Sequence, residues 1–530
     1  MTEFVLLNDM ESASSINDME LLNRFLVYGR DDGIYFAQYN SNIDEINKYS
    51  KSLDRLLAQG RGKEVIELIR TISIEGRAPR HTTLLYALAQ CARSNDKQTK
   101  AAAYQSIADI CRTPTHLFLF VKYTNGRWGR ATRKAISEWY NQESFIHNPK
   151  SLVRKCSKYR KRHTYTHRDI LRLAHVKPKT NHVQLVLQYL VKGAEEEYNN
   201  FEISDGVIND TKRFILAAEE AKRCTRMDIS RLTNLIREHG LTLEHVPNDL
   251  LDSHEIWRAL VYQMPMGAMI RNLGRMSKVG IFSPGSLEQR HVVDRLAQHD
   301  IIRKARVHPL TILTAWNVYK CGKAFSSKNP MQWVVNDAIS SALEKAFYLS
   351  VPTPNLPDKS ILLAIDGNEN MLNPIIGMPI VTARGAAVSV VFLMSRITTN
   401  TSVISVANGV TEVSISQNDN LETLSGKFSM QTNSSTTSDP AKPVEWCLEN
   451  NKTYDAIIYL SSSASKGTNC PSAYMHQYRQ QPGLQNARFI AVALSSNDGQ
   501  LFDSNDKNML SVVGFDSNAL HIILDFIRRP

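Results

Sequence analysis

The sequence predicts a multidomain chain: an all-α array of HEAT-like helices followed by a smaller doubly wound α/β domain. Three observations predict it. From about residue 18 to 350, apolar residues recur at three- and four-residue spacing with polar residues between them, the period of helices that bury one face. Past residue 360 the pattern changes to short continuous apolar runs, ILLAID (361–366), YDAIIYLS (454–461) and RFIAVAL (488–494), which read as strands buried on both faces. Charge divides at the same place. The first 360 residues hold 52 Lys and Arg against 38 Asp and Glu, a balance of +14, whereas residues 361–530 hold 11 against 14, a balance of −3.

Residues 1–17 are acidic and polar and read as a flexible N-terminus. They lack the basic n-region and apolar h-region of a secretory signal. Within 18–350, HTTLLYALAQCAR (81–93), QTKAAAYQSIADICR (98–112), NHVQLVLQYLVKG (181–193) and EIWRALVYQM (255–264) carry the helical period. Short loops marked by Gly or Pro separate such segments: GRGK (60–63), EGRAP (75–79), RTP (112–114), VKP (176–178) and FSPG (282–285). Paired amphipathic helices in series suggest a solenoid, and the lack of a clean internal period makes it an irregular one. The Pro-rich stretch 351–360 reads as a linker. Strands alternating with helical patterns over 361–530 argue for the doubly wound domain. Within it, TNTSVISVANGVTEVSISQNDN (399–420) reads as a β excursion or hairpin, and SMQTNSSTTSDPAKP (429–443) as a mobile loop.

Composition narrows the function classes. With 42% hydrophobic and 22% charged residues the chain is ordinary for a globular protein, and no stretch approaches the ~18 apolar residues of a membrane span. Seven scattered cysteines without a CxxC pair argue against a disulfide framework or a zinc site and for a reducing compartment. The expectation is an intracellular, cytoplasmic protein, with a nuclear share left open. No G-x-S-x-G, P-loop, HExxH or dense acidic group is present, so no enzyme is expected.

The basic balance suggests a polyanionic partner, although solubility charge also accounts for a diffuse excess. The densest basic stretch is SLVRKCSKYRKRHTYTHRDILRLAHVKPK (151–179). Residues 151–180 hold ten Lys and Arg against the single acid Asp169. A helix over 151–162 places Lys155, Lys158 and Arg162 on one stripe. Thr166 and Asp169 form a capping-box pattern for a second helix that ends with His175 and Lys177, before Pro178. Lys161 and Arg172 join the same surface. Arginine forks and lysine ammonium groups suit phosphates, and Tyr159, Tyr165, His163 and His175 offer planes for unpaired bases. A solvated helix face or a localisation signal explains the same charge run. His163 and His167 have the i, i+4 spacing of zinc ligands, but with no third ligand nearby they are not read as a metal site.

A second basic segment, RWGRATRKAISEWYN (127–141), carries Arg127, Arg130, Arg133 and Lys134. Its Trp139 and Tyr140 read as core.

These segments, together with RFLVYGRDDGIYF (24–36), QGRGKEVIELI (59–69), CRTPTHLFLF (111–120), MPMGAMIRNLG (264–274) and RKARVHPLTIL (303–313), resemble in order the TROVE module of the Ro autoantigen family. The resemblance runs over nearly the whole chain. It implies a ring of HEAT-like helices over 18–350 with a basic central hole, closed by a von Willebrand factor A domain over 361–530. It also implies a monomeric RNA-binding protein of ribonucleoproteins, with a role in RNA quality control and stability. Its partners would be Y RNAs on the outer surface and misfolded small noncoding RNAs whose single-stranded 3′ ends enter the hole. Exonuclease or other protein partners are left open. The family's Y RNA contacts fall on Lys158, Arg162 and His175. The alternative is an interaction scaffold acting through the A domain.

A von Willebrand factor A domain normally holds a divalent ion with Asp-x-Ser-x-Ser, a Thr and a second Asp. Here the matching positions are Asp366, Asn368, Asn370, Ser438 and Ser462. One carboxylate replaces two, and Asn is bulkier than Ser where an octahedral oxygen site needs small ligands. No cofactor is expected, Mg²⁺ binding is expected to be weak or lost, and Asp366 is expected to bond local amides instead.

Overall fold

Short capped helices account for most of the first 350 residues in the computed structural model, which describes residues 16–38, 42–126, 128–194, 205–324, 331–351, 356, 358–376, 378–407, 409–429, 439–463, 470–496 and 506–529. The array begins at Asp18–Tyr28, whose N-cap Asn17 accepts a hydrogen bond from the Glu20 amide at 2.9 Å, satisfying a donor that the helix cannot. It runs to Asp337–Leu349. The periodic segments form helices where expected: Thr82–Arg93, Asn181–Lys192 and His254–Leu260. Segment 98–112 is split at Ser106 into Lys97–Gln105 and Ile107–Ile110. Gly76, at φ 69°, closes the helix Gly62–Glu75 in the left-handed conformation that glycine adopts without penalty.

Successive helices pack on their neighbours, Asn181–Lys192 on Gly206–Arg223 and that on Ile229–His239. Trp139 and Trp257 anchor this core, and each satisfies its indole N–H on a carbonyl, Cys111 at 2.6 Å and Leu251 at 2.8 Å. Among the described residues no helix is long and apolar enough to cross a membrane.

The C-terminal half is a mostly parallel sheet flanked by helices. Its strands are β1 (Ile34–Phe36), β2 (Ser360–Asp366), β3 (Asn400–Val406), β4 (Val410–Glu412), β5 (Ala456–Ser461), β6 (Arg488–Ala493) and β7 (Met509–Val513). Their order is β1-β7-β6-β5-β2-β3-β4, all parallel except β3 with β4. The stretch 399–420 is thus a hairpin, but its first strand is an inner member of the sheet rather than an excursion. Of the expected mobile loop 429–443, residues 430–438 lie outside the described residues, and the helix Lys442–Glu449 begins within its end. Residues 352–355 and 357 of the 351–360 linker, and residues 1–15, also lie outside them.

Besides a short hairpin at 161–166, one strand departs from the all-helical reading of residues 18–350 by joining the C-terminal sheet. β1 comes from the N-terminal array yet pairs with β7, Tyr35 opposite Val512. Ionic contacts seal the same join. Arg77 Nε lies 2.6 Å from Asp525 Oδ1, and Arg529 Nη1 lies 2.9 Å from Glu20 Oε1. Arg24, 1% exposed, donates to the Asp506 carbonyl at 2.7 Å. Buried Arg488 donates to the carbonyls of Phe526, Ile527 and Arg529 at the end of the C-terminal helix Ala519–Arg528.

Candidate nucleic-acid interface

The basic stretch 151–179 folds as helix, hairpin, helix. The first helix, Pro149–Lys158, starts with Pro at a position that needs no N–H donor and with Asn148 capping the Ser151 amide at 3.2 Å. It buries Leu152, Val153 and Cys156 and turns Arg154 and Lys158 to solvent. Here the structure corrects the expectation. The helix does not extend to residue 162, so Arg162 does not share a helical stripe with Lys155 and Lys158. Lys161–Arg162 instead pairs antiparallel with Tyr165–Thr166, Arg162 opposite Tyr165. The two linking residues, His163 and Thr164, have φ of 50° and 75°. That is the geometry of a tight hairpin turn, which glycine and asparagine adopt far more readily than a β-branched threonine. The turn therefore lacks the Asn-Gly signature that marks such hairpins in sequence.

The expected capping box is present: the Thr166 amide donates to Asp169 Oδ2 at 2.9 Å and the Asp169 amide to Thr166 Oγ1 at 3.2 Å. The second helix, His167–Ala174, ends earlier than expected, because His175 at φ 50° reverses the chain as the C-cap. His175 and Lys177 thus lie beyond the helix, and Asn141 pins that exit. Its side chain donates to the Lys177 carbonyl at 3.0 Å and accepts from the Lys179 amide at 2.7 Å.

His167 sits under the surface rather than on it. Its ring is 3% exposed, with Nδ1 2.8 Å from the Tyr140 hydroxyl oxygen, and burial drives its pKa down to about 3. The ring is therefore neutral and part of the core, with Tyr140 and Trp139. Among the described residues no cluster of three or more His, Cys, Asp or Glu is placed to hold a metal.

The candidate cations differ in what they already touch. Lys161, Arg162, Arg172, His175 and Lys177 are exposed, and among the described residues none of them has an acidic partner within 4 Å. Arg162 bonds only the adjacent Lys161 carbonyl, at 2.8 Å. Lys155 is turned partly inward: it lies 4.9 Å from the centre of the Phe145 ring and donates to the Arg112 carbonyl at 3.4 Å, and burial lowers its pKa. Lys158 is half exposed and 3.2 Å from Glu244. On the helix Arg130–Tyr140, Arg130, Arg133 and Lys134 face solvent, with Lys134 3.9 Å from Glu138. Trp139 and Tyr140 are buried, as the core reading held. Arg127 lies outside the described residues.

Sequence reasoning missed Glu244, which no local pattern marks. It also passed over Arg154, an exposed neighbour whose guanidinium stacks 5.1 Å from the Phe214 ring.

At the other end of the molecule, the sheet brings Asp366 and Ser462 to the C-terminal ends of adjacent strands β2 and β5. Asp366 Oδ1 accepts from the Asn368 amide at 3.0 Å, and Asn368 Oδ1 from the Asn370 amide at 2.8 Å. Asp366 thus bonds a local amide, as expected. The Ser462 hydroxyl is buried with no hydrogen-bond partner among the described residues. Ser438 lies outside the described residues. This donor set does not fit a divalent ion: it offers one carboxylate, and the Asn368 carbonyl oxygen is committed to backbone.

With this geometry in place, comparison with known proteins is specific. A model of the TROVE domain matches residues 7–239 and 238–330, and a model of the Ro60 vWA domain matches residues 360–527. The RNA-binding protein RO60 of Caenorhabditis elegans is 27% identical to this chain, covering 97% of it and 88% of the nematode protein. The RNA-binding protein RO60 of Deinococcus radiodurans is 26% identical, covering 97% and 93%. The crystal structure of the Deinococcus radiodurans RO (RSR) protein superposes with a TM-score of 0.84 at 25% identity, over 97% of this chain and 99% of that one.

Proposed function

The chain belongs to the Ro family, a TROVE domain joined to a Ro60 vWA domain, and from that premise we propose that it is an RNA-binding protein and not an enzyme. Its RNAs are Y RNAs, held on the outer surface around the 161–166 hairpin, and misfolded small noncoding RNAs. The helical array forms a HEAT-like ring, and single-stranded 3′ ends of the misfolded RNAs enter its central hole. The protein works as a monomer in the cytoplasm, in RNA quality control. The ring spans residues 18–350 and the closing domain 361–530.

One observation carries the reading. The hairpin, the helix after it and that helix's exit present Lys161, Arg162, Arg172, His175 and Lys177 to solvent with no acid within 4 Å among the described residues, Asp169 being the one acid whose charge reaches Lys161 and Arg172. Surface cations of a protein that needs them only for solubility are interspersed with acids. A run of unpaired donors on a fixed hairpin is arranged for phosphates that release counterions on binding.

Charge reversal tests it. Lys158→Glu with Arg162→Glu is expected to weaken binding of a stem–loop RNA at least about tenfold and to flatten its salt dependence. Melting temperature should fall only slightly, reflecting about 1 kcal/mol for a half-exposed ion pair turned repulsive at Glu244. Unchanged affinity removes the assignment of this surface. For the hole, a stem–loop with a single-stranded 3′ tail is expected to bind better than a tailless duplex, and equal binding rules threading out.

A further inference from the structure

Lys158 differs from its neighbours in having a partner that the fold holds in place. Glu244 lies on the single turn Leu243–His245, which packs against both Pro149–Lys158 and Gly206–Arg223. That turn is fixed from within. The Thr242 amide and hydroxyl each lie 3.1 Å from His245 Nδ1, and the His245 ring, 2% exposed, packs edge-on against Phe214 at 5.5 Å. Partial burial opposes ionisation of Glu244, but bonds from Thr242 and Lys158 hold its carboxyl below the usual carboxylate range. A fixed carboxylate therefore stands 3.2 Å from the ammonium group that the RNA reading assigns to a phosphate.

The neighbourhood repeats the arrangement. On Gly206–Arg223, Glu219 contacts Lys222 and also accepts from the Tyr189 hydroxyl, and Lys222 lies close enough to Arg160 for their charges to interact. The side of the surface nearest that helix thus has acids in direct contact with its cations, whereas on the hairpin side Asp169 acts on Lys161 and Arg172 only from beyond ion-pair distance.

We propose that Glu244 is an affinity-setting residue whose carboxylate occupies Lys158 in place of an RNA phosphate until RNA binds. The inference rests on the reading that Lys158 contacts RNA. A lysine ammonium has three N–H donors and no acceptor, so it can serve carboxylate and phosphate together. The two anions are then brought within a few ångströms of each other, and their repulsion subtracts from the phosphate contact. An exposed pair of this kind is weak by itself, which lets RNA displace it. The consequence is that this contact adds little for RNAs engaging Lys158 alone and counts only for those that also reach the unpaired cations of the hairpin.

The test uses the full chain and a fluorescein-labelled stem–loop RNA with a single-stranded 3′ tail, titrated at several salt concentrations. Glu244→Gln keeps the size of the side chain and its bond to Thr242 while removing the charge. It is expected to tighten binding about threefold to tenfold near ~0.1 M salt. The slope of log affinity against log salt should steepen by up to about 0.9, the increment for one more effective phosphate contact. If Glu244 merely positions Lys158, Gln weakens binding and makes the slope shallower, which overturns the proposal, as does an unchanged titration. Lys158→Ala, measured alongside, separates the two layers. A loss of affinity there with no gain in Glu244→Gln leaves the RNA surface standing and removes the role of Glu244. No loss in Lys158→Ala removes Lys158 from the RNA surface, and the role of Glu244 with it.

Discussion

The hairpin surface and the join between the two halves of the chain are both rich in arginine, and they use it in opposite ways. At the hairpin, Arg162 and Arg172 stand in solvent, and among the described residues the Arg162 guanidinium donates to its neighbour's carbonyl and to no acid. At the join, Arg24, Arg77, Arg488 and Arg529 are buried or nearly so, and each is bonded to carboxylates or carbonyls of the other half or of its own end of the chain. A cleft of about 820 Å³ opens there, lined by Arg77, Lys507, His521 and Arg529 among others. Arg77 and Arg488 are already bonded there, whereas Arg529 keeps a buried Nε without a hydrogen bond and exposed Arg528 has no acid within 4 Å among the described residues, so the contrast with the hairpin is one of degree. What recruits a polyanion is not positive charge but positive charge without a partner.

The largest expected effect probes the join. Arg77 is 21% exposed and Asp525 only 8%, so removing Arg77 leaves a poorly solvated carboxylate with Arg529, 3.4 Å away, as its remaining cation. Arg77→Met is expected to cost about 3 kcal/mol in urea unfolding. The double variant Arg77→Met with Asp525→Leu should recover part of that, because the under-compensated carboxylate goes too while Arg529 keeps Glu20. RNA affinity at 25 °C should be unchanged in both. A fall in affinity without a fall in stability would mean that the join is itself an RNA site, and the contrast would collapse.

A smaller effect probes the platform under the hairpin. Burial lowers the folded-state pKa of His167 to about 3, and those of His116, His245 and His308 to about 4. The unfolded chain therefore binds more protons than the folded one between these values and about 6.5. The stability that these neutral rings contribute is fully present above pH 6.5 and is lost as pH falls towards 3–4. For His167 alone the slope reaches about 1.4 kcal/mol per pH unit. Urea unfolding at pH 7 and 5.5 should show a loss that His167→Gln reduces by about 1 kcal/mol. An unaltered pH dependence in the variant would mean that His167 is hydrated, and that the hairpin rests on a softer base than its 3% exposure implies.

The two arginine sets look alike in sequence, and that is where sequence reading stopped. Periodicity made most of the helices legible, and the Thr166–Asp169 spacing located a helix start correctly. The end of the preceding helix was not legible, since neither His163 nor Thr164 carries the turn chemistry that announces a hairpin. β1 is three residues long and pairs with a strand at the other end of the chain, so no local pattern marks it. For the same reason the charge count could not say that Arg24 and Arg77 belong to the join, or that Lys158 meets Glu244. Partners distant in sequence decide which charges are free.

The smallest expected effect extends the contrast to the strand ends of the sheet, where polar groups are mostly turned inward. Asp366 and Asn368 hold backbone amides at 3.0 and 2.8 Å, so their oxygens are engaged much as the arginines of the join are. Millimolar Mg²⁺ is therefore expected to leave the melting temperature where EDTA leaves it, to within about 1 °C, because only an ion that binds the folded state stabilises it. The Ser462 hydroxyl, buried and unpartnered among the described residues, is the weak point of that closure. Asn368→Ser, Asn370→Ser and Ser462→Asp together supply small hydroxyls and a second carboxylate. If the backbone commitments and the missing charge are what exclude the ion, this triple variant gains a stabilisation by Mg²⁺ that saturates with concentration, about 2.7 kcal/mol at a hundredfold excess over its dissociation constant. Stabilisation of the natural chain by Mg²⁺ would show that one carboxylate and two carboxamides suffice, and that engagement by backbone does not close a site in the way engagement by carboxylates closes the join.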